Sequence, residues 1–245
     1  MRLAVIADVH GNVRALEAIR ADLRESSPDL VLNLGDCVSG PLWPKETVAL
    51  LGDMGLPTVR GNHDRAMGDT PRTLMAASDA FAFDRLSPAE REQLFGLPQT
   101  LVPAAGVLAF HATPTDDNTY LTEDIVDGRL ALSGPRRIAD RLGGARAPLL
   151  LCGHSHIARI VHGPDGMLIV NPGSAGAPGY IDDTAPRHVS EAGSPHARYA
   201  VLTMRRSVWS VDLRAIAYDW DSAARRAAEN NRPEWARALA TGFVR

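Results

Sequence analysis

Five short apolar runs in this chain each break into a loop that carries Asp, Asn or His. Residues 2–7 run into Asp8 and His10, residues 30–34 into Asp36, and residues 56–59 into Asn62 and His63. Residues 107–110 run into His111, and residues 148–152 into His154 and His156. Runs of this length and apolar content read as strands buried in a sheet. Helical segments separate the first three. Asn12 caps one in which Leu16, Ile19 and Leu23 share a face, and residues 44–51 form a second, shorter one. Strand–helix–strand alternation predicts parallel strands, whose carboxyl ends lie at one edge of the sheet.

Past residue 64 the pattern changes. Residues 65–99 read as a helical excursion beside the strand ends, with helices at 71–82 and, after a Ser87 cap, at 88–94. Hairpins are predicted over 101–110, 157–170 and 199–213, and a helix over 133–142 that Gly143 and Gly144 end. Residues 115–127 and 180–196 are polar and without periodicity, so they read as surface loops and candidate lids. Helices at 220–230 and 233–240 fill the stretch 219–245. The expectation is one domain over 1–245, of mixed α/β (α+β) class.

Composition removes several alternatives. A net charge of −3 and a pI near 6.2 argue against a nucleic-acid coat or a basic membrane-surface helix. No apolar run approaches the ~20 residues of a membrane span. The two cysteines, Cys37 and Cys152, do not make a disulfide framework, and the expected location is cytoplasmic and reducing. Nothing in the sequence fixes an oligomeric state.

A single Asp after a strand caps a helix or forms a turn, and a single His is commonly just hydrogen-bonded. A set of them at neighbouring strand ends marks a metal or catalytic site. Asp8, His10, Asp36, Asn62, His63, His111, His154 and His156 offer eight donors, more than the about four to six that one transition metal takes, which points to two ions. Imidazole, carboxylate and one amide, without thiolate, suit Mn, Fe, Zn, Co or Ni. His154 and His156 are two apart on an extended segment and share a face. Asp36 is the natural bridge, since a carboxylate has two oxygens. Beside Asn62, His63 can carry a proton near neutral pH, and Asp64 is expected to orient its ring. Asn12 and Arg65 flank the motifs as candidates for a phosphate oxygen.

The segments Asp8-Val9-His10-Gly11-Asn12, Gly35-Asp36, Gly61-Asn62-His63-Asp64, His111 and Gly153-His154-Ser155-His156 resemble, in order and kind, the calcineurin-like metallophosphoesterase superfamily. The match runs over about residues 3–175. The opening motif and Asn171-Pro172-Gly173-Ser174 look like its small bacterial phosphodiesterase branch, related to the YfcE-type enzymes. They look less like the larger protein phosphatases, where Glu commonly stands at the position of Asp64.

The resemblance implies a two-sheet β-sandwich flanked by helices. It implies a first metal on Asp8, His10, Asp36 and His156, and a second on Asp36, Asn62, His111 and His154. It places His63 outside the metal shell, facing substrate. The implied reaction is attack of a metal-bridging hydroxide on a phosphate ester, with His63 as general acid. The expected activity is phosphodiesterase on a small, nucleotide-like ester. Dinucleoside polyphosphate hydrolysis and phosphomonoesterase or protein phosphatase activity are the alternatives. A non-catalytic scaffold, like the retromer subunit of this superfamily, fits less well: that subunit lacks the motif histidine, and this chain has His63.

Overall fold

The structure is a computed structural model and describes residues 1–245. It begins with β1 (Arg2–Ile6), α1 (Val13–Ser26) and β2 (Leu30–Asn33). α1 starts at Asn12, whose side chain accepts the Ala15 N–H, and buries Val13, Leu16, Ile19 and Leu23. Next come α2 (Pro44–Met54), α3 (Asn62–Asp69), α4 (Ala77–Phe83) and α5 (Pro88–Phe95). α5 opens with a reciprocal capping box between Ser87 and Glu90.

The run at 56–59 does not form a strand. It meets β2 in a single parallel bridge, Asn33 to Thr58. Pro57 has no N–H to donate, which limits the ladder.

The second half contains β3 (Thr100–Ala104), β4 (Val107–Phe110), β5 (Glu123–Val126), β6 (Arg129–Leu132), α6 (Pro135–Leu142) and β7 (Leu149–Leu151). It continues through β8 (Arg159–His162), β9 (Leu168–Asn171), β10 (Gly179–Asp182) and β11 (His188–Glu191). β12 (Ala197–Arg205), β13 (Val208–Ile216), α7 (Trp220–Glu229) and α8 (Pro233–Thr241) complete the chain.

One sheet has the order β13-β12-β1-β2 and another the order β3-β4-β7-β9-β8. They face each other across one core, in which Leu3, Val5, Leu32, Ala200 and Leu202 meet Val107, Ala109, Leu149, Leu151 and Val170. Alternate residues face the other way, as the period of a strand requires. Ala4, Ile6, Tyr199 and Val201 pack on Leu16 and Ile19 of α1. Phe110, Leu150 and Ile169 pack on Ile138 and Leu142 of α6. Each such buried aliphatic or aromatic side chain contributes roughly 1.5–3 kcal/mol. The result is a sandwich with helices outside both sheets.

A third sheet, β10-β11-β6-β5, was not expected from the sequence. It takes up parts of both stretches read as loops: β5 lies in 115–127, and β10 and β11 lie across 180–196. Its link between the two hairpins is the parallel contact of Val189 with Arg129, sixty residues apart in the chain.

Candidate metal centre

β1 runs parallel to β2, and β4, β7 and β9 run parallel to one another. The loops leaving β1, β2, β4 and β7 meet at one edge of the sandwich. Asp8, His10, Asp36, His111 and His156 are at most 4% exposed there, and Asn62, His63 and His154 are half-buried around them. Three donor sets form, Asp8–His10–His156, His10–Asp36–His63 and Asp36–His111–His154, each within 4.8 Å. Asp36 Oδ2 lies 3.3 Å from His111 Nε2 and 3.8 Å from His10 Nε2, between the two halves of the cluster. Its Oδ1 accepts the His63 N–H at 3.0 Å. Asn62 Oδ1 is 3.2 Å from His111 Nε2. Gly61 is required beside this carboxylate, because a Cβ there would collide with Asp36.

Backbone carbonyls set the tautomers. Nδ1 of His10 is 2.6 Å from Ser39 O, Nδ1 of His111 is 2.6 Å from Leu34 O, and Nδ1 of His156 is 2.7 Å from Ala177 O. A carbonyl only accepts, so each Nδ1 carries the proton and each Nε2 turns inward. His154 is reversed: its Nε2 meets Asn118 O at 2.9 Å, leaving Nδ1 for the cluster. Burial, followed by the neighbouring His111, lowers His154 to about 3. Burial lowers His10 to about 4 against the opposing pull of Asp36. Both rings are therefore neutral lone-pair donors at pH 7.

Five of these residues have left-handed backbone: φ is 55° at Asp8, 50° at His10, 54° at Asp36, 68° at His154 and 60° at His156. Such positions cost of order 1–3 kcal/mol each and persist where surrounding structure over-determines them. Here Asp8 N donates to Gly35 O and His10 N to Asp36 O, both at 3.0 Å. His154 N donates to the Asp8 carboxylate at 3.1–3.2 Å.

The expected pairing of His63 with Asp64 is corrected by the geometry. Asp64 is fully buried and accepts the backbone N–H groups of Asp36, Cys37 and Gly61 at 2.8–3.0 Å. The first turn of α3 directs it inward, toward the Asp36 loop. His63 Nδ1 instead meets Asp79 Oδ1 at 2.7 Å, and Asp79 also accepts from Ser39 Oγ at 2.6 Å. Burial opposes the charged His63 ring, but Asp79, Asp36 and Asp64 outweigh it and raise the pKa to about 10.

Asn12 and Arg65 both have partners within the protein. Asn12 is fully buried, caps α1, and donates to Gly176 O and Tyr218 Oη. Arg65 is bound to Asp117 and Asp69. His188, read as a surface residue, is buried: its Nδ1 donates to Pro186 O at 2.9 Å, so its Nε2 accepts the Tyr120 hydroxyl at 2.7 Å. Tyr120 in turn stacks on His154 with centroids 4.8 Å apart. Nothing in the sequence near Asp79 or Tyr120 marks either one. Their roles come from α4 and the third sheet closing on the site.

The cluster forms the floor of a cleft of about 740 Å³ whose walls include Ser78 of α4, Tyr180 of β10 and Trp235 of α8. A sandwich edge that gathers imidazoles and carboxylates at the base of a cleft is a candidate metal centre. The chain belongs to the calcineurin-like phosphoesterase superfamily, whose domain model matches residues 1–204. It is 26% identical over 248 residues to an uncharacterized protein, MJ0912, of Methanocaldococcus jannaschii, covering 95% of this chain and 94% of that one. A metallophosphoesterase from Sphaerobacter thermophilus has the same fold, with a TM-score of 0.74, 24% identity, and coverage of 99% of this chain and 100% of that one. A hypothetical protein, PH1004, from Pyrococcus horikoshii OT3 gives a TM-score of 0.76 at 18% identity, covering 99% of this chain and 98% of that one. No helix is long and apolar enough to cross a membrane.

Proposed function

We propose that the chain hydrolyses small phosphodiesters with two divalent cations held in the cluster. The observation that carries this reading is the facing pair His10 Nε2 and His156 Nε2, 3.0 Å apart. Each ring has its Nδ1 proton committed to a carbonyl. Two lone pairs therefore point at each other, with Asp8 Oδ1 3.5 Å from His156 Nε2. That donor chemistry fits a cation.

Asp8, His10, Asp36 and His156 would hold one ion. Asp36, Asn62, His111 and His154 would hold the other, with Asp36 common to both sets. The donors suit Mn, Fe, Zn, Ni or Co. When bound, such cations neutralise charge on the phosphoryl oxygens and acidify water enough to serve as nucleophile near neutral pH.

The chain's own residues do the rest. Asp79 holds His63 by Nδ1, so the proton on Nε2 is available to a leaving alkoxide in the cleft. Asp64 fixes the Asp36 loop against the start of α3, which keeps Asn62 and His63 in register with the carboxylate between them. Outside the cluster the cleft wall offers no uncommitted cation, since its one guanidinium, Arg232, is paired with Glu234, and this disfavours the second charge of a dianionic monoester.

The test is hydrolysis of bis-p-nitrophenyl phosphate against p-nitrophenyl phosphate by metal-stripped protein reloaded with Mn, Ni, Zn or Fe. Preference for the diester is expected. Preference for the monoester would replace the phosphodiesterase reading with phosphatase chemistry, and no turnover with two ions bound would count against catalysis.

A further inference from the structure

The outer walls of the cleft take no part in the chemistry above, and about 740 Å³ is far more room than a phosphate group needs. One wall is the indole of Trp235. Its centroid lies 6.0 Å from that of His10, at 66°. It packs from behind on the apolar cluster of Leu42 and Leu239, and its edge lies so close to Gly40 that a Cβ there would be 3.2 Å from Cη2. Tyr180 also lines the cleft, its ring 4.7 Å from that of His156 at 76° and its hydroxyl 2.6 Å from that of Tyr120. Two anchored aromatic rings therefore line the cleft, each beside a cluster imidazole.

The charge of these walls is unusual for a phosphate-binding cleft. Arg232 is the one Lys or Arg among the lining residues, against Asp182, Asp183 and Glu234. Its guanidinium is already engaged, by Glu234 and by Ser78 Oγ at 3.1 Å. A phosphate seated over the metal cluster is served by the floor. Of these carboxylates Glu234 pairs with Arg232 and Asp183 with Arg187, so a further phosphate would find no uncommitted cation on the wall and would meet Asp182 as a repulsive element. The same carboxylates accept hydrogen bonds from sugar hydroxyls, and an aromatic face accepts any nucleobase.

We infer that the cleft selects nucleoside esters bearing a single phosphate, with the base stacked on Trp235, and rejects polyphosphate chains. The inference rests on the hydrolase reading for the seating of the phosphate.

Two measurements test it. Adenosine 5′-monophosphate and ribose 5-phosphate share the phosphate and differ at C1′, which carries the base in one and a hydroxyl in the other, and both are titrated calorimetrically into Mn²⁺-reconstituted protein. The nucleotide binds about tenfold tighter if the base stacks. Trp235→Leu keeps an apolar body against Leu42 and Leu239 and brings the ratio close to one, while Trp235→Phe restores most of it. Equal binding by the unmodified protein, or a ratio that survives Trp235→Leu, overturns the assignment of Trp235. Separately, a dinucleoside monophosphate is compared as substrate with diadenosine tetraphosphate. A kcat/KM at least about tenfold higher for the monophosphate is expected, and the reverse order overturns the rejection of polyphosphates. If neither ester is cleaved but the nucleotide keeps its Trp235-dependent advantage, the hydrolase reading fails and the nucleoside recognition stands.

Discussion

His63 Nδ1 meets the carboxylate of Asp79, sixteen residues further along the chain, and not that of Asp64 beside it. One carboxylate of the pair holds an imidazole at the cleft, and the other holds three backbone amides. Their substitutions should therefore differ in kind.

His63→Ala should lower kcat by about 10²–10⁴, the range of a lost general acid. Asp79→Asn should lower it less, by roughly 10–100-fold, because the ring keeps its place but loses its anionic partner. Elemental analysis should find metal content unchanged in both. An Asp79→Asn enzyme with normal kcat would remove the link between the two residues.

Asp64→Asn should act on stability. The amide has one acceptor oxygen where the carboxylate has two, and its NH₂ group confronts at least one backbone N–H. Loss of one or two charge-assisted bonds costs about 1.5–3 kcal/mol. In a chain of this size that lowers Tm by roughly 3–12 °C. Calorimetry on metal-free protein reads this directly, and an unchanged Tm would mean that the three amides find another acceptor.

Asp36→Asn should lose metal and activity together. Oδ2 is the atom within reach of both His10 and His111, and an amide is a weaker, neutral ligand there. Addition of Mn²⁺ to stripped wild-type protein should raise Tm in a concentration-dependent way, as binding to the native state alone requires. That rise should be largely absent in Asp36→Asn. Retention of two ions per chain by the variant would end the bridging role.

Far from the cluster, Asp22 joins Tyr199 and Arg214. Burial pushes its carboxyl up, but the hydrogen bonds from Tyr199 and Arg214 and the guanidinium charge outweigh burial, so the pKa lies below its ordinary value of 3.8. A carboxylate depressed on folding stabilises above its unfolded pKa, and that contribution is lost as pH falls through the folded pKa. Asp22→Asn should thus lower Tm at pH 5–7, and the difference from wild type should shrink below about pH 4. A difference that stays constant down to pH 2 would show that the carboxylate's charge is not what matters.

The strand ends were legible because each apolar run stops where its ligand loop begins, and because the α1 cap and face, the hairpin of β3 and β4, and the C-terminal helices follow local rules. The third sheet was not. β5, β6 and β10 are four-residue strands that are largely half-buried, too short to show a period of two. What defines them is pairing between residues far apart in sequence. Asp79 was hidden for a similar reason. It sits in the first turn of a short helix, where an acid is unremarkable, and only the packing of α4 on the site brings it to His63. For Asn12 and Arg65, position beside a motif says nothing of whether a side chain already has a partner, and both do.

The left-handed backbone at Asp8, His10, Asp36, His154 and His156 bears on which amino acids could ever stand there. Asp, Asn and His tolerate that region far better than bulkier side chains, and glycine, which tolerates it best, has nothing to offer a cation. Each position is thus filtered twice, once by the turn and once by the ion. Glutamate would supply the same carboxylate as Asp8 or Asp36 at a higher conformational cost and one methylene further out. The alphabet of this centre is set as much by how sharply the chain must turn as by what the metal prefers.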